Sequence, residues 1–145
     1  MRIKTIKEPI ENFKSYEDFV TFITPFLDIK TKSQKKDELS GQYKKIFENE
    51  HILSFHDINP QKKIHALIIP KGEYIDLDDF NNRASDQEIV ALSKAITEVS
   101  KILGISINTG KGYRALTNLS EDGGQEVPHL HFHLFGGEKV GKMVE

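Results

Sequence analysis

Cysteine and tryptophan are absent from this sequence of 145 residues. The lack of cysteine excludes disulfides, zinc sites built on thiolates and a thiol nucleophile, and it fits a reducing cytosol. No apolar run approaches the roughly 20 residues that a membrane-spanning helix needs. Residues 1–10 mix lysine and glutamate without the apolar segment of a secretory signal. We therefore expect a soluble, cytoplasmic protein without a membrane partner.

A strong charge of one sign is also lacking. The formal net charge is −2 at pH 7, so no long-range field selects a polyanion such as duplex DNA. Local hydrogen-bond donors could still bind a single mononucleotide. Hydrophobic residues make up 37% and charged residues 29% of the chain, as in an ordinary globular protein with one core. A nucleic-acid partner is therefore not expected.

The pattern along the chain divides it into an extension and one domain. Ser15 can cap a short amphipathic helix whose apolar face is shared by Phe19, Phe22, Ile23 and Phe26. The polar, lysine-rich run over residues 30–40 then indicates a solvated connector. We therefore predict an N-terminal extension with a short helix over residues 1–40 and a folded domain over residues 41–145.

The domain is predicted to have an α+β fold on an antiparallel sheet. Short β-branched and aromatic runs between turns predict strands over residues 43–47, 52–55, 64–69, 113–119 and 129–135. The clearest helix is predicted from Ser85 to Leu103, because Ser85 and Glu88 form a capping box and Gly104 supplies a C-terminal stop. The glycine-rich segment over residues 120–126 is predicted to be a polar loop.

Three histidines alternate along the last predicted strand, which reads His129-Leu130-His131-Phe132-His133. Side chains on a strand alternate faces, so the three rings share one face and the apolar residues share the other. A row of imidazoles is a poor packing choice, and an accidental surface strand explains it badly. The row of three histidines therefore indicates a catalytic or metal-binding site.

A metal site is the main rival interpretation of this face. The outer histidines are four residues apart, about 13 Å along a strand, whereas zinc–nitrogen bonds are about 2 Å long. One ion could then bind at most a neighbouring pair, completed by His65 or His56. Nucleophilic catalysis fits the pattern better, because a neutral imidazole attacks phosphorus well near pH 7. Its neighbours could orient it, contact phosphoryl oxygens and protonate a leaving group.

At these residues the sequence resembles the histidine triad (HIT) family, whose motif is His-x-His-x-His followed by apolar residues. Gly136-Gly137 follows the motif here, as in the Hint branch of that family. Further matching segments occur in the same order at residues 55–61, 65–71, 112–114 and 122–125. The resemblance covers roughly two thirds of the chain, over about residues 46–137.

The resemblance implies a HIT-like fold with a five-stranded antiparallel sheet and one main helix, usually paired into a homodimer. It implies hydrolysis or transfer of nucleotides, typically purine nucleoside 5′-phosphoramidates or adenylates, without a metal or other cofactor. His131 would be the nucleophile that forms a nucleotidyl-histidine, His133 would contact the α-phosphate, and His129 would orient the central ring. His65 would be a fourth histidine near the leaving group.

The resemblance also implies a nucleotide pocket. Asp57 would hold the ribose hydroxyls, although before Asn59-Pro60 it could be only a turn residue. The base pocket would be formed by Phe55, His56, Ile58 and Leu67. The phosphate side would be formed by Asn118, Gly124, Gln125, Glu126 and Val127.

One residue of the pocket departs from the Hint pattern. Glu126 stands where that branch commonly has serine, and an ionised carboxylate can only accept hydrogen bonds. The departure leaves open a nucleotide-binding regulatory protein with weak turnover. A diadenosine polyphosphate hydrolase of the Fhit-like branch is a further alternative, but that branch tends to carry Pro-Arg where Gly136-Gly137 stands here.

Overall fold

The computed structural model describes residues 44–143. The predicted N-terminal helix and Tyr43, the first residue of the first predicted strand, lie outside this range. The described part contains five strands and three helices, in the chain order β1 (Lys45–Glu48), β2 (Ile52–His56), β3 (Ile64–Pro70), α1 (Leu77–Arg83), α2 (Asp86–Ile102), β4 (Arg114–Leu116), α3 (Ser120–Gly123) and β5 (Phe132–Gly136).

The strands form one antiparallel sheet in the order β1-β2-β3-β5-β4. Strand β5 enters between β3 and β4, so the last strand in sequence lies near the middle of the sheet. The five-stranded antiparallel sheet with one main helix confirms the predicted HIT-like α+β fold. A central position gives β5 neighbours on both sides, which fixes the strand that carries the histidine motif.

The two faces of the sheet have different partners. Ala66, Ile68 and Leu134 belong to the main hydrophobic cluster, together with Leu92, Ala95 and Val99 of helix α2. Because side chains alternate along a strand, the intervening residues of β3 and β5 point to the opposite face. That opposite face, which we call the histidine face, carries His65, Leu67, His133 and Phe135.

Helix α2 begins and ends where the sequence predicts. The Ser85 side chain accepts from the backbone N–H of Glu88, whose carboxylate accepts from the backbone N–H of Ser85. This capping box satisfies N–H groups that have no partner inside the helix. Leu103 is the C-terminal cap, and Gly104 follows it with φ +72°.

Glycine is favoured at Gly136 and at Gly137 for two different structural reasons. A Cβ atom on Gly136 would lie 2.9 Å from Cδ1 of Ile105, so the end of β5 passes too close to the core for a larger residue. Gly137 has φ +79°, a conformation that side chains disfavour. The pair therefore turns the chain sharply at the end of the histidine strand.

Two strands are shorter than predicted, and two helices were missed. Strand β5 begins at Phe132 and not at His129, because the N–H of His129 bonds Val127 and that of Leu130 bonds Tyr74. Strand β4 also ends early, at Leu116, where its pairing with β5 stops opposite His133. Helix α1 follows Asp76, whose side chain accepts from Asp79 N, and α3 forms one turn in the predicted loop.

Residues 44–143 contain no helix that combines the length and the apolar character needed to cross a membrane.

Candidate active site

The centre of the histidine face is a pair of rings from neighbouring strands. His65 of β3 lies opposite Phe135, and Leu67 lies opposite His133, so His65 and His133 are diagonal neighbours. Nε2 of His65 lies 2.9 Å from Nδ1 of His133, a hydrogen-bond distance. The Phe135 ring stacks on His133 at 5.7 Å between centroids and packs against His65 at 4.2 Å. Phe135 therefore holds both rings in place.

His131 lies just before β5, with its ring edge against His133 at 5.0 Å between centroids. Nδ1 of His131 lies 2.8 Å from the backbone carbonyl of His129. A carbonyl can only accept, so Nδ1 must carry the proton and Nε2 keeps its lone pair. The hydroxyl of Thr117 donates to the carbonyl of His131 itself at 2.7 Å. His131 is thus fixed in the tautomer that a nucleophile needs.

The protons of His65 and His133 are ordered in the same way. The backbone N–H of Gln61 donates to Nδ1 of His65 at 3.1 Å, so the proton of neutral His65 must be on Nε2. This Nε2–H then donates to Nδ1 of His133. Neutral His133 must therefore carry its proton on Nε2, the nitrogen that faces away from His65. It presents a donor suited to a phosphoryl oxygen.

His129 is the most deeply buried of the three histidines of the motif. It is 1% exposed, and its Nε2–H donates to the carbonyl of Pro70 at 3.0 Å. Strand β5 begins at Phe132, so the predicted strand does not extend back to His131 or His129. The backbone carbonyl of His129 fixes the tautomer of His131.

Burial keeps these histidines neutral. It lowers the pKa of His129 to about 4, against a smaller opposing effect of the hydrogen bond to Pro70. Burial and the neighbouring His131 and His65 lower the pKa of His133 to about 3. Burial also lowers the pKa of His65 and of His131. At neutral pH the cluster therefore offers lone pairs and N–H donors, and not imidazolium cations.

Asp57 joins the cluster from the segment after β2. Its Oδ2 lies 3.5 Å from Nε2 of His65, and its Oδ1 accepts from Asn59 N at 2.8 Å. Asp57 is therefore both the turn residue that its sequence context allows and a neighbour of the His65 ring. One carboxylate oxygen is held by the turn, and the other points toward the histidines.

Asp57, His65 and His133 have ligand atoms within 4.8 Å of one another, which is close enough to consider a metal ion. The proton order argues against one. Nε2 of His65 could ligate a metal only after giving up its proton, which would have to move to Nδ1. The N–H of Gln61 already points at Nδ1. A metal would therefore have to break that hydrogen bond as well as the one between the two rings.

The residues predicted for the base pocket lie on β2, on β3 and in the segment after β2 that carries Asp57. Leu67 and Ile58 are half-buried. Phe55 is fully buried and pairs with Leu67 across the two strands, so both side chains lie on the histidine face. His56 ends β2, and burial together with Lys44 lowers its pKa.

On the predicted phosphate side, Asn118 and Val127 are half-buried, while Gly124 is exposed with φ +75° as the C-terminal cap of α3. Gln125 differs from these, because its side chain is buried and its amide bonds within the protein to Ile75, Val127 and Ser120. This amide is therefore engaged with the loop and not directed toward a phosphate.

Glu126 is the acidic residue of the same loop, and it is exposed. Its charge opposes the lowering of the His131 pKa by burial, as does that of Asp57. Both carboxylates therefore act electrostatically on His131. The two charges would also repel a phosphate, so a substrate must bring enough binding energy to overcome them.

Three contributors to the site were not found from the sequence. Phe135 packs on two rings, Thr117 fixes the His131 backbone, and the backbone N–H of Gln61 fixes the His65 proton. The alternation along the last strand placed Phe135 on the histidine face, which was a usable signal. Nothing in a sequence marks a backbone N–H or one threonine for such a task.

Comparison with known proteins agrees with this geometry. A profile of the HIT domain matches residues 40–140. An uncharacterized 13.2 kDa HIT-like protein of Azospirillum brasilense is 52% identical over 101 residues, which cover 70% of this chain and 80% of that protein.

Two solved structures are also similar. One, described as a HIT-like protein, has 45% identity and a TM-score of 0.57, over 66% of this chain and 86% of its own. A HIT family hydrolase from Clostridium thermocellum has 31% identity and a TM-score of 0.64, over 88% of this chain and 95% of its own. The family profile matches most of this chain, and the histidine cluster lies in the family's motif. The chain therefore belongs to the HIT domain family.

Proposed function

We propose that the protein is a Hint-like nucleotidyl hydrolase or transferase that acts on nucleoside 5′-phosphoramidates or adenylates through a covalent nucleotidyl-histidine. The observation that carries the proposal is the hydrogen bond from Nδ1 of His131 to the His129 carbonyl. It leaves the lone pair of Nε2 available, and the low pKa of His131 keeps the ring neutral. The related Clostridium thermocellum protein is described as a hydrolase, which supports hydrolysis.

In the first step, Nε2 of His131 forms a bond to the α-phosphorus while the bond from phosphorus to the leaving group breaks. The leaving group takes the electron pair of that bond. The ring becomes a nucleotidyl-imidazolium, whose positive charge is stabilised by the His129 carbonyl and by Asp57 and Glu126. Water then attacks phosphorus, the pair of the P–N bond returns to Nε2, and a nucleoside monophosphate and one proton are released.

His133 stabilises the charge that develops on the phosphoryl oxygens, through its Nε2–H. It is poorly suited to protonate the leaving group. Its Nδ1 accepts a hydrogen bond from His65, and loss of the single proton on its Nε2 would create an anion. Glu126 supplies no donor when ionised. The site therefore suits leaving groups that depart as stable anions, such as the carboxylate of an acyl-adenylate. An amine must instead take its proton from solvent.

The nucleoside is expected to bind beside this cluster. The carboxylate of Asp57 can accept from the ribose hydroxyls, and half-buried Leu67 and Ile58 provide apolar surface for a purine. The family resemblance points to a purine as the base.

We also propose a homodimer formed through the outer edge of β4. At the other edge, β1 carries the ion pairs of Glu48 with Lys45 and Lys71, which disfavour strand addition. Strand β4 has exposed Ala115 at its centre and has β5 as its single partner within residues 44–143. Light scattering at micromolar concentration should give twice the mass of one chain, and the mass of a monomer would reject the dimer.

A turnover assay with two substrates tests the proposed activity. An adenosine 5′-phosphoramidate and a diadenosine polyphosphate are incubated separately with the protein, and the products are identified. AMP from the phosphoramidate with slow cleavage of the dinucleotide supports the proposal. Preferred cleavage of the dinucleotide would favour the Fhit-like activity. Tight nucleotide binding without turnover of either would favour a regulatory protein, the role that Glu126 makes worth testing.

A further inference from the structure

The buried amide of Gln125 lies between two segments of backbone. Its Nε2 donates to the carbonyl of Ile75 at 2.6 Å and to the carbonyl of Val127 at 2.9 Å. Its Oε1 accepts from the backbone N–H of Ser120 at 3.2 Å. The side chain is 7% exposed. Two carbonyls require two donors, and the N–H requires an acceptor, so the site matches a primary amide and not a carboxylate.

The carbonyl of Val127 links Gln125 to the nucleophile. This oxygen also accepts from the backbone N–H of His129 at 2.9 Å, across Pro128. The carbonyl of His129 in turn accepts from Nδ1 of His131 at 2.8 Å. A continuous series of hydrogen bonds therefore runs from the Gln125 amide to the nitrogen whose proton decides the tautomer of His131.

At the other end of this series, the Gln125 amide bonds to a segment that makes several further hydrogen bonds. Ile75 donates its backbone N–H to Asp79 of α1, and Tyr74 accepts from the backbone N–H of Leu130 at 2.7 Å. The Pro70 carbonyl accepts from the ring of His129. The segment from Pro70 to Ile75 thus supports the chain around His129, and Gln125 is the side-chain amide that ties both segments together.

We propose that Gln125 is a positioning residue that orients the His129 carbonyl, through Val127, and so determines which nitrogen of His131 carries the proton. The proposal rests on the proposed nucleophilic role of His131. Without the two donors of the amide, the Val127 carbonyl loses a partner and the turn across Pro128 loosens. The His129 carbonyl then no longer selects the Nδ1–H tautomer, and the Nε2 lone pair is lost in part of the molecules.

The test compares wild type with Gln125→Glu and Gln125→Met, with Asp122→Asn as a control in the same loop. Long-range proton–nitrogen correlation spectra of the nucleotide-free protein report the tautomer of His131 directly. Turnover of the phosphoramidate gives kcat and KM. We expect wild type and the control to hold the proton on Nδ1. Both Gln125 variants should show a mixture of tautomers and a kcat at least about tenfold lower, with KM within about threefold.

The two variants differ in their response to pH. A protonated glutamic acid can donate to one carbonyl, whereas the ionised form would repel both. The kcat of Gln125→Glu relative to wild type should therefore rise as the pH falls from 9 to about 5, while that of Gln125→Met relative to wild type stays flat.

Three results would overturn the inference. These are a wild-type His131 tautomer in both variants, an unchanged kcat in both, and, for Gln125→Glu, a kcat relative to wild type that does not change with pH. If Gln125→Glu does not fold, the spectra of Gln125→Met still decide the tautomer. If wild type has no turnover, the proposed function fails, but the spectra still test the link between Gln125 and His131.

Discussion

The two sides of the candidate site are built differently. On one side, which we call the nucleophile side after the proposed role of His131, the rings of His65, His131 and His133 are largely buried, and each has a hydrogen bond that decides where its proton lies. On the other side, which we call the leaving-group side after its proposed role, Gly124 and Glu126 are exposed at the end of the one-turn helix α3. The buried side chain of Gln125, between these two residues, attaches this loop to the rest of the protein.

This contrast suggests how chemistry and specificity are divided. Burial and backbone carbonyls set the protonation of the histidines, so the first chemical step depends on groups that cannot easily adapt. The exposed loop can change a side chain without disturbing the core. In our proposal, leaving-group preference is therefore assigned to this loop, where Glu126 stands in place of the serine that is common in the Hint branch.

The largest expected effect is the loss of the nucleophile. His131→Ala should lower kcat on a phosphoramidate by on the order of 10³-fold or more. Nucleotide affinity should stay within about tenfold, or ~1.4 kcal/mol, because the pocket remains. Steady-state turnover and calorimetric titration with AMP measure the two. His51→Ala, the same change outside the cluster, should keep wild-type turnover. Activity above a tenth of wild type in His131→Ala would move the nucleophile elsewhere.

The second effect concerns stability on the nucleophile side. Folding lowers the pKa of His129 from its ordinary value near 6.5 to about 4. The unfolded chain therefore binds a proton below pH 6.5 that the folded chain does not bind. The stabilisation that comes from the neutral ring of His129 is complete above pH 6.5 and is lost as the pH falls toward 4. At pH 4 the free energy of unfolding has fallen by about 3 kcal/mol because of this residue alone.

Urea unfolding at pH 7 and pH 4 measures this effect. His129→Asn should be less stable than wild type at pH 7, but its free energy of unfolding should fall by about 3 kcal/mol less between the two pH values. The variant retains the carboxylates, so their contribution to acid unfolding cancels in the comparison. An equal fall in both proteins would mean that His129 is not buried in the neutral form.

A third prediction addresses the leaving-group side. Glu126→Ser should raise kcat by up to about 10²-fold for an alkylamine leaving group, because a hydroxyl can donate to the departing nitrogen. An acyl-phosphate leaving group needs no proton and should barely respond. The ratio of the two kcat values therefore rises, while Glu121→Ser on the exposed surface of α3 should leave it unchanged. An unchanged or lower ratio in Glu126→Ser would show that Glu126 does not limit leaving-group departure.

The smallest expected effect is that of a chelator. The proton order of His65 and His133 disfavours a metal at the one His-rich cluster found in residues 44–143. Turnover after treatment with EDTA and gel filtration should equal that of the untreated protein. Loss of activity with EDTA that zinc restores would contradict the proposed chemistry and would place a metal at Asp57, His65 and His133.

The sequence predicted the elements that local patterns control. The capping box of α2 and the strands β2 and β3 follow from short-range sequence patterns, and the structure confirms them. The early end of β4 and the late start of β5 depend on contacts between segments distant in the chain, such as Leu130 with Tyr74. The histidine motif identified histidines of the candidate site, but their proton order depends on backbone groups that no motif contains.

The central claim is that His131 carries the nucleotide during turnover. The most direct test is an acid-free quench of the protein during reaction with a radiolabelled nucleoside phosphoramidate, followed by digestion and mass spectrometry. We predict a nucleoside monophosphate adduct on the peptide that contains His131, which water removes at the rate of turnover and which is absent from His131→Ala. Turnover without this adduct, or an adduct on another residue, would contradict the account.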